Sequence, residues 1–169
     1  MTLIHDPEVW QARLAALPLA SYAADEIVFE EGTKTGKLLI LKSGAVRIVK
    51  NGTEIAAVAE PGAVFGELSA LLDQPHSADV RALEPCEFYV ADAATLLHED
   101  PAALLYVTLV LARRLDGANH AFVELKNQLA AGEPAGLIDA TLDKIENLLG
   151  AIGAGYVRAS AGASGYPFA

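Results

Sequence analysis

The sequence predicts a mainly β fold with flanking helices: an antiparallel β jelly-roll barrel, interrupted by one short helix and followed by a long C-terminal helix. Three observations carry this. Short apolar runs at 27–29, 38–41, 45–49, 55–58, 80–82 and 88–90 recur at even spacing, separated by turn clusters such as Lys42-Ser43-Gly44 and Glu60-Pro61-Gly62, the pattern of antiparallel barrels and jelly rolls. Asn51-Gly52 falls between two alternating runs, and this dipeptide suits the two positive-φ positions of a tight hairpin. No strand–helix–strand alternation is present, so a parallel sheet is not expected.

Ahead of the strands, residues 6–17 read as a helix. Asp6 is placed as its N-cap and Pro7 at its first position; Trp10, Leu14 and Leu17 share one face, and Pro18 ends it. Inside the strand region, Phe65-Gly66-Glu67-Leu68-Ser69-Ala70-Leu71-Leu72 is helical in composition and stops at the turn Asp73-Gln74-Pro75. From Ala93 the pattern is helical, and Asp100-Pro101 opens a segment that continues to Leu129. Along it Leu104, Thr108, Leu111, Leu115, Ala118, Phe122, Leu125 and Leu129 alternate spacings of four and three, an a/d seam. At 1.5 Å per residue this helix is roughly 40 Å long, more than a small barrel covers. Its distal part is therefore expected to pair with a second copy, a homodimer built on Leu111, Leu115, Phe122 and Leu125. Residues 1–130 form the main domain on this reading. Residues 131–169 hold the breaker Gly132-Glu133-Pro134, a last helix with Ile138, Leu142, Ile145 and Leu149 on one face, and a Gly/Ala-rich tail expected to be flexible.

Composition excludes several classes. Of 169 residues 53% are hydrophobic, so the chain is not broadly disordered. Twelve Lys and Arg stand against 22 Asp and Glu, a net charge of −10, and only Arg113 and Arg114 are adjacent cations. Such a chain repels phosphate backbones and anionic lipid, so neither a nucleic acid nor a membrane surface is an expected partner. The apolar stretch 101–112 stops at Arg113, well short of the ~20 residues of a membrane span. The N-terminus has no apolar signal core. With one cysteine, Cys86, an internal disulfide and a CxxC redox pair are ruled out, and a reducing cytoplasm is the expected compartment. His5, His98 and His120 have no metal-site spacing, so neither a metal nor a cofactor is expected. GxSxG, GxxxxGK[ST] and HExxH are all missing, and the chain reads as a non-enzyme.

The motif that carries function lies at 65–82, FGELSALLDQPHSADVRA. Phe65-Gly66-Glu67-Leu68 and, six residues further on, Pro75-His76-Ser77-Ala78-Asp79-Val80 resemble the phosphate-binding cassette of the cyclic nucleotide-binding domain family. Gly32, Gly44 and Gly62 sit where members of that family turn between barrel strands, and the resemblance covers roughly residues 20–130. It implies a jelly roll whose short cassette helix and neighbouring turn bind cyclic AMP or cyclic GMP through Phe65, Gly66, Glu67, Leu68, His76, Ser77 and Ala78. It also implies that the helix from about Pro101 moves on binding, caps the base and signals to an effector protein or a dimer partner. Within such a cassette a helix start at Gly66 favours the phosphate, and Gly66 lets the ligand approach the backbone. Glu67 is suited to accept from the ribose hydroxyl, Ser77 to donate to the phosphate or the base, and the Ala78 amide to add a donor.

One position departs from the family pattern. Members that bind cyclic nucleotides tightly carry Arg where this chain has His76. Arginine supplies a permanent charge and a planar fork, whereas histidine near neutrality is mostly uncharged. Losing that charge-assisted bond costs about 1.5–3 kcal/mol, roughly ten- to hundredfold in affinity. Arg81 lies further along the next strand and does not replace it. Two readings follow: a stand-alone regulatory module with weak or pH-dependent nucleotide binding, or a ligand-free interaction scaffold with a degenerate pocket. A DNA-reading domain is not expected, because Lys144 and Arg158 are the only cations after Leu129.

Overall fold

The run Leu38-Leu39-Ile40-Leu41 lacks the polar alternation of a one-sided strand, and all four side chains are buried. A strand covered on both faces needs no polar side. The computed structural model describes residues 7–132 together with 140 and 141. In chain order these form α1 (Pro7–Ala15), β1 (Leu19–Tyr22), β2 (Ile27–Phe29), β3 (Lys37–Ser43), β4 (Val46–Lys50), β5 (Thr53–Val58), β6 (Val64–Phe65), α2 (Glu67–Leu72), β7 (Asp79–Ala82), β8 (Cys86–Asp92), α3 (Ala93–Glu99) and α4 (Pro101–Ala131).

The strands make two four-stranded sheets, ordered β1-β8-β3-β6 and β2-β7-β4-β5, and every pairing is antiparallel. The expected jelly roll is thus two stacked sheets. Between them lies one core: Leu39 and Leu41 from β3, Phe88 from β8, and Val46, Val58, Val80 and Ala82 from the opposite sheet. A second core lies on the outer face of the first sheet. There Leu38 and Ile40, the other side of β3, meet Trp10 and Leu14 of α1, Leu97 of α3, and Ala103, Tyr106, Val107 and Val110 of α4. β3 is therefore shared by both cores.

The local signals behave as their chemistry requires. Asn51 and Gly52 turn β4 into β5 with φ of 50° and 78°, the two positive angles of a tight hairpin. Asp100 caps α4 by accepting from the amides of Ala102 (2.9 Å) and Ala103 (3.2 Å) and is also ion-paired to Arg13 of α1. Gly132, at φ 67°, closes the helix. α1 stops at Ala15, two residues before the expected end. Two strands were not among the expected runs. β1 is only half-buried, so its sequence alternates weakly. β6 has two residues, held by pairing Val64 with Ile40 and Phe65 with Leu39. That pairing corrects the reading of Phe65 as helical: it ends a strand, and α2 starts only after Gly66.

The long helix also needs a correction of face. The stripe packed on the domain is Ala103, Tyr106, Val107 and Val110, about a quarter-turn from the a/d seam. Tyr106 fixes this rotation by stacking on Trp10 (ring centroids 4.5 Å apart) and by donating to the Gly62 carbonyl at 2.8 Å. Leu104, Leu115, Phe122 and Leu129 of the seam are consequently exposed, whereas Leu111 and Leu125 are half-buried. Asp6 and most of the expected last helix and tail lie outside the described residues; within 131–169, Thr141 is buried and donates to Gln128 Oε1 at 2.6 Å. No single helix among the described residues is long and apolar enough to cross a membrane.

Candidate functional site

A cavity of about 370 Å³ opens between the cassette and α4, within the size range of small-molecule sites. One wall is the cassette, from Phe65 to Ser69 and from His76 to Ala78. A second wall is the inner face of the β4–β7 sheet, with Ile48, Lys50, Ile55 and Val80. Leu111, Arg114 and Leu115 of α4 close the third side. All seven residues marked from the sequence line this one space, although they come from two stretches separated by α2 and a turn.

Their environments differ from expectation at two places. Gly66 has φ 88°, and a Cβ there would lie 2.5 Å from the Lys37 carbonyl oxygen and 3.1–3.2 Å from the Phe29 ring. A side chain at this position would strike the domain's own backbone, so packing and left-handed backbone by themselves demand glycine. His76 is held by the domain itself. It is buried; its ring stacks on Phe29 with centroids 4.1 Å apart, and Nε2 shares a hydrogen bond with Thr35 Oγ1 at 2.9 Å. Its backbone is bonded on both sides to the β2–β3 loop, His76 N to Thr33 O at 2.7 Å and Gly32 N to His76 O at 2.9 Å. Burial pushes the imidazole pKa below the usual histidine value, because the charged form loses hydration there. His76 is thus a neutral brace holding the loop to the cassette.

Glu67 is buried at the start of α2, where a carboxylate also favours the helix dipole. Its Oε1 accepts from Arg114 Nη1. Arg114 Nη2 also donates to the Val64 carbonyl at 3.1 Å. One guanidinium therefore ties α4 to both β6 and α2. Arg114 Nε is buried with no hydrogen-bond partner among the described residues, an unusual state for a buried donor. Leu68 is 43% exposed and stands at the rim. Ser77 is exposed, and its hydroxyl has no partner among the described residues. Ala78 is half-buried beside it.

Sequence reasoning did not assign Arg114 and Lys50 to the site, nor the bracing pair Phe29 and Thr35. Arg114 was visible only as half of an adjacent basic pair that ends an apolar run. Arg81 pairs with Asp79 on its own strand at 2.9 Å and does not line the cavity. No group of three or more His, Cys, Asp or Glu among the described residues is arranged to hold a metal.

A two-sheet jelly roll, with a short helix and turn facing a long helix across a small cavity, frames the candidate site. Residues 19–98, just under half of the chain, match the cyclic nucleotide-binding domain family. The cAMP-dependent protein kinase regulatory subunit of Yarrowia lipolytica is 30% identical over 90 residues, which are 53% of this chain and 24% of that protein. Among solved structures, the Thermus thermophilus catabolite activator protein superposes with TM-score 0.58 at 23% identity, covering 85% of this chain and 82% of that one. The structure of Sp-2Cl-cAMPS bound to PKAR CBD2 does so with TM-score 0.56 at 23% identity, covering 76% and 81%. At that identity both speak for the fold. The chain spans about a quarter or less of the length of curated relatives it matches, 24%, 7% and 19% for three of them.

Proposed function

We propose that the chain is a regulatory module that binds a cyclic mononucleotide, cyclic AMP or cyclic GMP, in the cassette cavity and passes occupancy to α4. The observation that carries this is Arg114. It hangs from α4, bonds Glu67 inside the cavity and keeps a buried donor unspent. A ribose hydroxyl donating to Glu67 competes for the carboxylate that anchors α4, and a phosphate oxygen accepting from Arg114 changes the same contact. Ligand and helix position are then linked through one ion pair, and binding shifts the helix by whatever affinity difference the two positions have. Leu111 and Leu115 supply apolar surface over a bound base. The exposed seam of Leu104, Leu115, Phe122 and Leu129 on the same helix suits a second copy, which would receive the movement; an effector protein is the other recipient.

The test is calorimetric titration of ligand-stripped protein with cyclic AMP and cyclic GMP at pH 6 and pH 8, with Trp10 fluorescence followed in parallel. The expected outcome is saturable binding of similar strength at both pH values, since burial disfavours the charged form of His76, with a fluorescence change because Trp10 stacks on Tyr106 of α4. No binding at millimolar ligand would sink this reading. The alternative, a ligand-free interaction scaffold, has its own observation: Glu67 and His76 are already partnered within the chain.

A further inference from the structure

The cavity carries a charge opposite to that of the chain. Two permanent cations, Lys50 and Arg114, and one carboxylate, Glu67, line it, and His76 is neutral there. This leaves one net positive charge in a protein of net charge −10. Arg114 is already matched by Glu67, whereas Lys50 has no ion pair or hydrogen bond among the described residues. Its position follows from register. The β4–β7 ladder pairs Ile48 with Val80 and Val49 with Asp79, and Lys50 is the last residue of β4. Alternation along β4 puts Lys50 on the same face as Ile48, and both line the cavity.

From this we infer that Lys50 is the counter-charge for the ligand's phosphate, supplied from the strand next to the cassette in place of the charge that His76 lacks. The inference rests on the cyclic nucleotide reading above and adds a residue to it. Ser77 and Ala78 line the same cavity as Lys50, so ammonium, amide and hydroxyl are available to one anion. The ammonium sits on a flexible stem exposed at the rim, a compact point charge with three donors to offer an anion. A ligand with a single negative charge matches the cavity's single excess positive charge.

The experiment uses the full chain, calorimetric titration, and three probes: cyclic AMP, cyclic GMP, and the uncharged nucleoside adenosine. Lys50→Met keeps the stem and removes the charge, and Lys50→Arg restores it; circular dichroism checks that both variants fold. Lys50→Met is expected to bind both cyclic nucleotides about tenfold more weakly and adenosine as the unaltered protein does, with Lys50→Arg within about threefold of the unaltered protein. Equal binding of cyclic nucleotides by Lys50→Met and the unaltered protein would overturn the inference and leave the cyclic nucleotide reading standing. A loss confined to cyclic GMP would put the ammonium on the guanine edge and overturn it too, as would an equal loss for adenosine. Failure of the unaltered protein to bind either cyclic nucleotide would remove both.

Discussion

Replacing Arg114 by Met tests whether one ion pair fastens α4 to the cassette. The substitution keeps most of the apolar stem and deletes the guanidinium. It strands Glu67, whose side chain is 5% exposed, and frees the Val64 carbonyl. Breaking a fully buried pair costs about 3–5 kcal/mol. Because the Arg114 side chain retains 18% exposure, the lower end applies, about 3 kcal/mol with the lost Val64 bond included. In a Glu67→Gln background the same change leaves a neutral amide in place of a carboxylate, which is cheaper to bury, so its cost falls to about 1.5 kcal/mol. The coupling between the two sites is then about 1.5 kcal/mol. Urea unfolding followed by the single tryptophan reads this directly, since Trp10 lies against Tyr106 of α4; far-UV circular dichroism should give a coincident transition. A cost below about 0.5 kcal/mol for Arg114→Met, or an identical cost in both backgrounds, would refute the reasoning and with it the ion pair as the link between cavity and helix.

Three further outcomes are expected. Gly66→Ala should cost about 3 kcal/mol, combining left-handed backbone strain with the collision at the Lys37 carbonyl. Gly52→Ala, also at positive φ but with nothing within 4 Å, should cost only about 1 kcal/mol; equal melting-temperature drops would contradict this. His76 has a depressed pKa in the folded protein, so its contribution to stability is complete above the unfolded value of about 6.5 and is lost as pH falls through the folded value. His76→Gln should therefore lose less stability than the unaltered protein between pH 7.5 and pH 5.5 in urea titrations; parallel losses would mean the histidine is not the titrating group. Leu115→Glu with Phe122→Glu should yield monomers in sedimentation equilibrium at little cost to the fold, as both side chains are more than half exposed, at 63% and 59%; an unchanged mass would remove the seam as a dimer contact.

Features set by near neighbours were legible in the chain. The Asn51-Gly52 hairpin, the Asp100 cap with Pro101 behind it, and the cassette motif each depend on backbone angles and donors within a few residues. Their side chains report them directly. The doubly buried run at 38–41 was also readable as a strand, though not which residue faces which core.

What the sequence left open depends on long-range choices. α4 carries two apolar stripes about a quarter-turn apart, and periodicity cannot rank them. Docking does, through Trp10, Gly62 and the helix-facing side of β3 meeting Tyr106 and Val107. That rotation alone brings Arg114 onto Glu67, 47 residues away, and turns Leu115 and Phe122 outward. The same holds for His76. The resemblance of its motif to the family cassette implied a ligand contact, and only the fold shows Thr35, 41 residues away, and Phe29 claiming the ring. Lys50 lines the cavity with Ile48, on the same face of β4. Local chemistry defines the elements and the motif, whereas burial and electrostatics of the site arise where distant segments meet, because the free energy of a charge depends on what surrounds it in space.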